Sequence, residues 1–253
     1  MISIITITKD NKKELKRTIN SIYNQKNFRG YEHIIIDASR KPFDFSEYDC
    51  AYRRTVRYVF EEDSGIYFAM NKGLEKCTNE YTVFLNSGDE FSRDDVLCSV
   101  ASNLESNSDG IVYFSDLILR RSRGQGDIIR KFSKSTIMLH LLRLPAHPCM
   151  FVPTRIAKEV GFDIRYSICA DHKYKLRVLQ NNKIHKLENA AVRFYEGGVS
   201  SDLKFRNICI AFNERLRIEL SFYRPVFWLP LIVRGLLIFV SRSLRSSMMW
   251  VLR

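Results

Sequence analysis

The sequence lacks both of the common glycine-rich loops that bind phosphate groups. Neither GxGxxG nor GxxxxGK[ST] occurs among its 253 residues, which excludes a dinucleotide-binding fingerprint and a P-loop. A chain without such a loop needs another source of positive charge to bind a diphosphate. A hard divalent cation held by a carboxylate is one such source.

The chain also lacks paired cysteines and a leader segment. Its six cysteines are scattered, with no CxxC pair and no metal-ligand spacing, which favours buried free thiols in a reducing compartment. The first residues, MISIITITKD, have neither a basic n-region nor a small-residue cleavage site and are typical of a strand. We therefore expect a cytoplasmic protein without a signal peptide.

Acidic residues are scarce towards the C-terminus. The net charge is +12, and Leu203–Arg253 holds nine Lys and Arg residues against two acids, Glu214 and Glu219. A basic balance of this kind is compatible with nucleic acid, an anionic membrane or a phosphorylated substrate as partner. Composition alone leaves all three open.

The C-terminal segment contains no apolar run long enough for a confident membrane span. The apolar stretch Val226–Val240 is interrupted by Pro230, Arg234 and Gly235. Flanking arginines and nearby tryptophans favour a segment that lies on the inner face of the cell membrane. A terminal helix packed on the domain and a true membrane span are the alternatives.

Strands and helices alternate through the first half of the chain. Residues 2–8 form a β-branched run that predicts a buried strand. Asn11 and Glu14 have the spacing of a capping box, which predicts a helix that runs to about Gln25. Tyr31–Ile36 predicts a second strand that ends at Asp37, and the three elements form a right-handed βαβ unit.

Further elements continue this alternation and become less regular after residue 119. Strands are predicted at Val56–Phe60, Tyr81–Leu85, Ile111–Phe114, Leu117–Leu119 and Cys149–Val152. Helices are predicted at Ile66–Leu74, after Asp94, from about Thr154 and after Asp171, with an exposed loop at Arg120–Asp127. The pattern predicts an α/β fold with a mostly parallel sheet flanked by helices and a helical C-terminal tail.

Polar residues stand at the ends of three predicted strands. Thr6–Thr8 end the first, Asp37 ends the second, and Asn86–Asp89 follow the strand Tyr81–Leu85. Ligands of open α/β sheets bind beyond the carboxyl ends of the strands. One carboxylate there can accept hydrogen bonds from a base or ribose, and another can hold a divalent cation.

Two motifs resemble those of a known family. Asp63–Gly73 reads DSGIYFAMNKG, and Phe84–Asp89 reads FLNSGD. Matches in the same order follow at His147-Pro148, Ala170-Asp171-His172 and Gly197–Ser200. Together they resemble the inverting family 2 glycosyltransferases, above all the bacterial exopolysaccharide and O-antigen branch that includes the colanic-acid transferases. The resemblance covers residues 1–202.

The resemblance implies a GT-A fold and a reaction. Residues 1–119 would bind the nucleotide sugar, residues 120–202 would bind the acceptor and carry catalysis, and residues 203–253 would form a basic, apolar tail. The implied reaction transfers a hexosyl or N-acetylhexosaminyl group from a UDP-sugar to a glycan or polyprenyl-linked acceptor in surface polysaccharide synthesis. The implied cofactor is Mg²⁺ or Mn²⁺, and nucleic acid is not an implied partner.

The resemblance also assigns roles by position. Asp171 resembles the catalytic base, with a plain helix-terminal carboxylate as the alternative. Asp89 resembles the metal-binding carboxylate. His147 is a candidate contact to the diphosphate or acceptor, or else a structural histidine. Nucleotide contacts are implied for Thr6, Asp37, Asp63, Asn71 and Ser87, although Asn71 could instead stabilise its helix.

The sequence departs from the family at two places. Ala38–Lys41 reads ASRK where the family commonly has Gly-Ser-x-Asp, and Gly88 stands where many members have a second Asp. Metal coordination therefore depends more heavily on Asp89 and on the diphosphate itself.

Two other functions are compatible with part of the sequence. A nucleic-acid-binding protein needs basic residues interleaved with exposed aromatics along a groove, whereas here the positive charge gathers in an apolar tail. A catalytically inactive scaffold would keep the fold. The joint presence of Asp37, Asp89 and Asp171 argues against it.

Overall fold

The computed structural model describes residues 1–105, 110–120, 126–135, 144–180, 182–189, 191–195, 204–223, 232–233, 235–241 and 243. The chain divides into two compact units, and each draws on two stretches of sequence. The first unit comprises Met1–Phe162 and Tyr174–Glu196, and the second comprises Asp163–Lys173 and Gly197–Arg253. The second unit thus joins a short stretch that contains Asp171 to the C-terminal tail.

Helices and strands alternate through the described residues. The helices are α1 (Lys12–Tyr23), α2 (Cys50–Thr55), α3 (Ile66–Lys76), α4 (Val96–Glu105), α5 (Thr154–Val160), α6 (Ala170–Gln180) and α7 (Phe205–Phe222). The strands are β1 (Ile2–Thr8), β2 (Tyr31–Asp37), β3 (Val56–Phe60), β4 (Tyr81–Phe84), β5 (Glu90–Phe91), β6 (Val112–Phe114), β7 (Leu117–Arg120), β8 (Ile128–Arg130), β9 (Met150–Pro153), β10 (Ile184–Lys186) and β11 (Val192–Tyr195). A 3₁₀ turn at His147–Cys149 precedes β9.

The larger sheet of the first unit is mostly parallel. Its strands within the described residues have the order β10-β6-β9-β4-β1-β2-β3. The neighbours β4, β1, β2 and β3 are parallel, and β9 runs antiparallel to both β4 and β6. All seven residues of β1 are buried, because the strand is covered on both faces. The predicted mixed α/β fold is confirmed.

The predicted capping box opens α1. The side chain of Asn11 accepts a hydrogen bond from Glu14 N at 3.4 Å, and its amide donates to Glu14 Oε2 at 2.7 Å. Four residues at helical spacing are buried along one face of the helix: Leu15, Thr18, Ile19 and Ile22. Thr18 is the polar member of this face, and its hydroxyl contacts the candidate active site described below.

Helix α3 packs closely on the first strand. A Cβ atom at Gly73 would lie 2.5 Å from Ile5 Cγ2, so only glycine allows this approach. The buried face of the helix includes Tyr67, Met70 and Leu74. Ile66, predicted as part of that face, is instead 38% exposed at the start of the helix.

A second, smaller sheet was not predicted. Its strands within the described residues have the order β5-β11-β7-β8, in which β11 pairs parallel with β7 and antiparallel with β5. Strands of two to four residues are too short to show a period of two in the sequence. Most of the predicted loop Arg120–Asp127 lies outside the described residues.

The C-terminal part of the second unit is helical where it is described, whereas residues 163–169 precede α6 without regular structure. Helix α7 confirms the predicted helical tail, and residues 235–241 are also helical. The ring of Phe239 packs 5.2 Å from that of Phe212 on α7. Leu237 and Val240 are 67% and 52% exposed. No helix in the described part of the chain has the length and apolarity needed to cross a bilayer.

Candidate active site

Segments that leave the carboxyl ends of four parallel strands meet at one edge of the larger sheet. Thr8 at the end of β1 lies beside Asp37 at the end of β2. Asp63 follows β3, and Asn86–Asp89 follow β4. These segments carry most of the residues that the sequence predicts to bind nucleotide and metal, and they emerge where ligands of such sheets bind.

Asp37 is buried, and two hydrogen bonds fix its carboxylate. Ser39 N donates to Oδ1 at 2.9 Å, and the Tyr58 hydroxyl donates to Oδ2 at 2.6 Å. Burial and the neighbouring Asp37 carboxylate raise the pKa of Tyr58, so that the hydroxyl remains a proton donor. The carboxylate is held in one orientation and retains lone pairs for a ligand.

Thr6 does not face the edge of the sheet. Its hydroxyl donates to Leu85 O at 2.7 Å and lies 2.8 Å from His33 Nε2 inside the fold. His33 Nδ1 in turn lies 2.7 Å from the Tyr52 hydroxyl, and burial lowers the pKa of His33 to about 3. This network links β1, β2 and α2, and it gives Thr6 a structural role. Thr8, two residues further on, is the threonine at the strand end.

The motif Asp63–Gly73 forms the turn before α3 and also connects α3 to Phe162. Asp63 Oδ1 accepts a hydrogen bond from Gly65 N at 3.0 Å and shapes the turn before the helix. Asn71 pairs with both backbone groups of Phe162, each at 2.8 Å. Lys72 forms an ion pair with Glu61 at 2.7 Å. The amide of Asn71 therefore holds α3 against the residues after α5, a contact that neither of its predicted roles included.

Helix α1 anchors the loop Asn86–Asp89. The hydroxyl of Thr18 donates to Asp89 O at 2.7 Å and accepts from Gly88 N at 3.0 Å. Arg17 Nη2 donates to Gly88 O at 2.6 Å, and its guanidinium lies 3.6 Å from the ring centroid of Tyr195 on β11. Two adjacent residues of one helix thus fix the backbone of the loop that carries Ser87 and Asp89.

Gly88 is required by the conformation of this loop. Its φ is +105°, a region that side chains rarely adopt, and a Cβ atom there would lie 3.0 Å from Glu14 Oε2. A second Asp at this position would be strained and would face a carboxylate. The departure from the family pattern therefore fits the local backbone of this chain.

Asp89 is a buried carboxyl group, 5% exposed. Burial raises its pKa well above the usual range, and the nearby Arg17 guanidinium opposes the rise only in part. Among the described residues, none donates a hydrogen bond to its carboxyl oxygens. A buried carboxylate in this state is stabilised by a cation.

Three further oxygen atoms beside Asp89 and at the neighbouring strand end are buried without a hydrogen-bond partner in the described part of the chain. They are Thr8 Oγ1, Asn86 Oδ1 and Ser87 Oγ. Oxygen donors are the ligands that Mg²⁺ and Mn²⁺ prefer. The described residues contain no group of three His, Cys, Asp or Glu side chains that could hold a metal alone. The residues therefore fit a hard cation whose remaining ligands come from a bound molecule.

His147 lies against the same loop. Its Nε2 atom is 3.1 Å from Asn86 Nδ2, and its ring packs edge-on to Phe84. The NH₂ group of Asn86 can only donate, so Nε2 is the acceptor of this contact. The structure thus places His147 beside the Asn86–Asp89 loop, and its contact to the diphosphate or acceptor stays a prediction.

Asp171 belongs to the second unit. It is partly exposed in the first turn of α6, where His172 N and Lys173 N donate to Cys169 O at 3.0 and 3.2 Å. A carboxylate at this position interacts favourably with the helix dipole. Its role as the base stays a prediction.

The sequence around this site matches the model of a known protein family. The model described as Glycosyl transferase family 2 matches residues 3–147, more than half of the chain. This chain belongs to glycosyltransferase family 2. The matched range includes both motifs and the loop at the edge of the larger sheet.

Curated relatives of this glycosyltransferase carry the same general description. An uncharacterized glycosyltransferase of Mycobacterium tuberculosis is 28% identical over 180 residues, which cover 70% of this chain and 68% of that protein. A PGL/p-HBAD biosynthesis glycosyltransferase of Mycobacterium bovis is 24% identical over 186 residues, which cover 70% of each chain.

Solved structures confirm the GT-A fold. TarS of S. aureus, residues 1–349, superposes with a TM-score of 0.65 at 14% identity, covering 93% of this glycosyltransferase and 70% of TarS. The same region of TarS in complex with UDP-GlcNAc gives a TM-score of 0.66 at 15% identity, with 93% and 71% covered. The predicted family and fold are confirmed, whereas inversion and the colanic-acid branch stay predictions.

Sequence reasoning missed the residues that support the loop of this glycosyltransferase. Arg17 and Thr18 bind its backbone, and Thr8 contributes an unpartnered oxygen at the strand end. A signal for Thr18 was present, because it is a polar residue at an apolar position of the α1 stripe. No comparable pattern marks Arg17, whose partner is 71 residues away in sequence.

Proposed function

We propose that this glycosyltransferase moves a hexosyl or N-acetylhexosaminyl group from a UDP-sugar to a glycan or polyprenyl-linked acceptor, with inversion at the anomeric carbon. The observation that carries the donor assignment is the set of buried, unpartnered oxygens Thr8 Oγ1, Asn86 Oδ1 and Ser87 Oγ beside the buried carboxyl of Asp89. Unpaired buried polar atoms cost stability. A ligand that pairs them accounts for their retention.

The nucleoside of the donor is assigned to the strand ends that carry Asp37 and Asp63. The fixed carboxylate of Asp37 is suited to accept hydrogen bonds from ribose hydroxyls or a base N–H. Asp63 lies on the turn that opens α3. The complexes of TarS with UDP and with UDP-GlcNAc support uridine as the nucleoside.

The diphosphate is assigned to the loop Asn86–Asp89. Asp89, with Asn86 Oδ1 and Ser87 Oγ, would hold Mg²⁺ or Mn²⁺, and His147 would contact the diphosphate or acceptor from beside Asn86. The bound cation would neutralise the charge that develops on the departing nucleoside diphosphate. Arg17 and Thr18 keep this loop in the geometry that presents the oxygens.

The base role is assigned to Asp171. Inverting transfer is a single displacement, in which a carboxylate takes the proton of the attacking acceptor hydroxyl as the bond to the leaving diphosphate breaks. A free Asp, with a pKa of about 3.9, is ionised at neutral pH, so this step does not require a strongly perturbed carboxylate. General-base assistance of this kind contributes roughly 10²–10⁴-fold to the rate.

The acceptor is assigned to the membrane surface. The exposed Leu237 and Val240 lie on the helical residues 235–241, in a segment whose sequence is flanked by arginines. Apolar side chains with nearby cations favour attachment to anionic lipid. The PGL/p-HBAD biosynthesis relative gives weak support to a role in surface polysaccharide synthesis. A polyprenyl-linked acceptor cannot leave the bilayer, so attachment raises its effective concentration.

Titration with UDP and metal tests the donor assignment against the two alternatives. We expect Mn²⁺ with UDP to raise the melting temperature, and a panel of nucleotide sugars to include one whose turnover releases UDP. A single-stranded oligonucleotide should leave the melting temperature unchanged. Stabilisation by the oligonucleotide alone would favour a nucleic-acid-binding protein, and UDP binding with no turnover of any donor or acceptor would favour an inactive scaffold.

A further inference from the structure

One carboxylate of the C-terminal helix α7 binds the whole segment that precedes α6. Glu214 Oε1 accepts hydrogen bonds from Ser167 N at 2.7 Å and from Ser167 Oγ at 2.8 Å. Glu214 Oε2 accepts from Ile168 N and from Cys169 N, both at 2.9 Å. Three successive backbone N–H groups and one hydroxyl thus converge on a single carboxylate, an arrangement that orders the backbone strongly.

A second carboxylate of α7 contacts the first turn of α6. Glu219, which is 2% exposed, lies 3.1 Å from His172 Nε2 and 2.9 Å from Arg215 Nε. The thiol of Cys169 also donates to Ala211 O of α7 at 3.4 Å. Asp171 lies between these attachments, two residues after Cys169 and directly before His172.

We infer that Glu214 is a positioning residue for sugar transfer: it fixes the segment Ser167–Cys169 and thereby the place of the Asp171 carboxylate. This inference rests on the proposed role of Asp171 as the base. A base must lie within hydrogen-bond reach of the proton it removes, and a displacement of about 1 Å can cost on the order of 10²-fold in rate. The tail of the chain, outside the matched family region, therefore takes part in catalysis through the backbone that it holds.

Replacement of Glu214 by Gln tests the inference. The amide keeps the size of the side chain, but its NH₂ group cannot accept a hydrogen bond from a backbone N–H, so at least one of the three backbone hydrogen bonds is lost. We expect kcat to fall at least ~10-fold while the KM for the donor and the affinity for UDP with Mn²⁺ stay within about twofold. The matched control is Asn213→Ala, an exposed neighbour on the same helix, which should leave kcat unchanged.

Amide hydrogen exchange supplies the local readout. The amides of Ser167, Ile168 and Cys169 should exchange faster in Glu214→Gln than in the wild type. Faster exchange with unchanged kcat and donor KM would overturn the inference, because the contact would then be structural alone. If Glu214→Gln does not fold, Ser167→Ala serves as the second test, because it removes only the hydrogen bond from the Ser167 hydroxyl to Glu214. A fall in kcat at constant donor KM supports the inference, and an unchanged kcat overturns it.

The Asp171→Asn variant separates this inference from the proposed function. If Asp171→Asn is inactive and Glu214→Gln has wild-type kcat, the positioning role alone is wrong. If Asp171→Asn keeps wild-type kcat, the base assignment is wrong and the positioning role falls with it.

Discussion

The guanidinium of Arg17 donates a hydrogen bond to the backbone carbonyl of Gly88 at 2.6 Å while it lies over the ring of Tyr195. One side chain thus connects α1, the loop that carries Asp89 and strand β11 of the smaller sheet. The planar guanidinium, with several N–H donors, can donate to the carbonyl and lie over the ring at the same time, a combination for which the compact ammonium of lysine is less suited. The position of the loop therefore depends on a residue that touches none of the proposed ligand atoms.

Replacement of Arg17 by Ala is expected to weaken UDP binding in the presence of Mn²⁺ by about tenfold and to lower stability by about 1–2 kcal/mol. The reason is that Gly88 O loses its donor and the loop relaxes. Calorimetry gives the affinity, and urea denaturation gives the free energy of unfolding. The control is Lys13→Ala, which removes the same charge from an exposed position of α1. Equal losses of affinity in the two variants would show that only the net charge matters.

Asp89→Asn is expected to stabilise the metal-free protein at pH 7. Burial raises the folded-state pKa of Asp89 above its unfolded value, so ionisation at neutral pH disfavours the folded state. The gain should shrink as the pH falls through the folded-state pKa and disappear below about 4, the unfolded value, where the carboxyl is protonated in both states. Thermal denaturation at several pH values measures it.

The same Asp89→Asn variant is expected to lose the Mn²⁺-dependent part of UDP affinity. Asp95→Asn, an exposed carboxylate paired with Arg93, should keep that affinity and show no stabilisation. UDP affinity equal to that of the wild type at saturating Mn²⁺ would remove Asp89 from the metal site.

Asp171→Asn is expected to lower turnover at least ~10²-fold with donor affinity little changed, because an amide cannot take the acceptor proton. Initial rates and calorimetry measure the two quantities, and NMR of the wild-type product should show inversion. Asp163→Asn is the control: this carboxylate pairs with Arg165 and Lys173 in the same unit, so its loss should reduce stability more than turnover. Turnover close to normal in Asp171→Asn would assign the base role elsewhere.

His33 is expected to make the folded protein less stable in mild acid. Burial lowers its folded-state pKa to about 3, whereas the unfolded value is about 6.5. Below about pH 6.5 the unfolded chain binds a proton that the folded chain excludes, so stability falls as the pH decreases, by roughly 1.4 kcal/mol per pH unit. Urea denaturation between pH 7 and pH 5 should show this slope reduced in His33→Gln and retained in His185→Gln, which alters an exposed histidine. The same slope in all three proteins would contradict the assignment.

The exposed apolar residues of the tail are expected to bind anionic membranes. Leu237→Glu should reduce co-sedimentation with anionic liposomes at low salt, because it places a like charge at the lipid surface. Ile129→Glu, which alters another exposed apolar position on β8 of the first unit, should bind as the wild type does. Failure of the wild-type protein to bind anionic liposomes would leave a soluble acceptor as the simpler assignment.

The sequence predicts those parts of the fold whose signals are local. The β-branched run of β1, the Asn11 cap and the apolar stripe of α1 each act within one element, and the structure contains them as expected. The smaller sheet was missed because β11 has only four residues and obtains its hydrogen bonds from β5 and β7, which are remote in sequence. The period of a strand is informative only over longer segments.

In the candidate site, too, the residues marked by a local pattern were predicted, and those that depend on contacts between distant segments were not. Asp37 and the loop Asn86–Asp89 were located because they end strands, and the structure places both at one edge of the sheet. Thr6 was predicted to contact the nucleotide. In the structure its hydroxyl forms hydrogen bonds inside the fold, with Leu85 O and with His33 Nε2. Hydrogen bonds that join distant segments decide such cases, and no pattern within one segment encodes them.

The 47-residue separation between Ser167 and Glu214 has a consequence for synthesis of the chain. The strands of the larger sheet come from residues that precede Glu214, whereas the segment before α6 has no acceptor for its backbone N–H groups until α7 has emerged from the ribosome. At ~5–20 residues per second the interval is roughly 2–10 s. On the proposed function, a nascent chain thus acquires nucleotide binding before it acquires an ordered base.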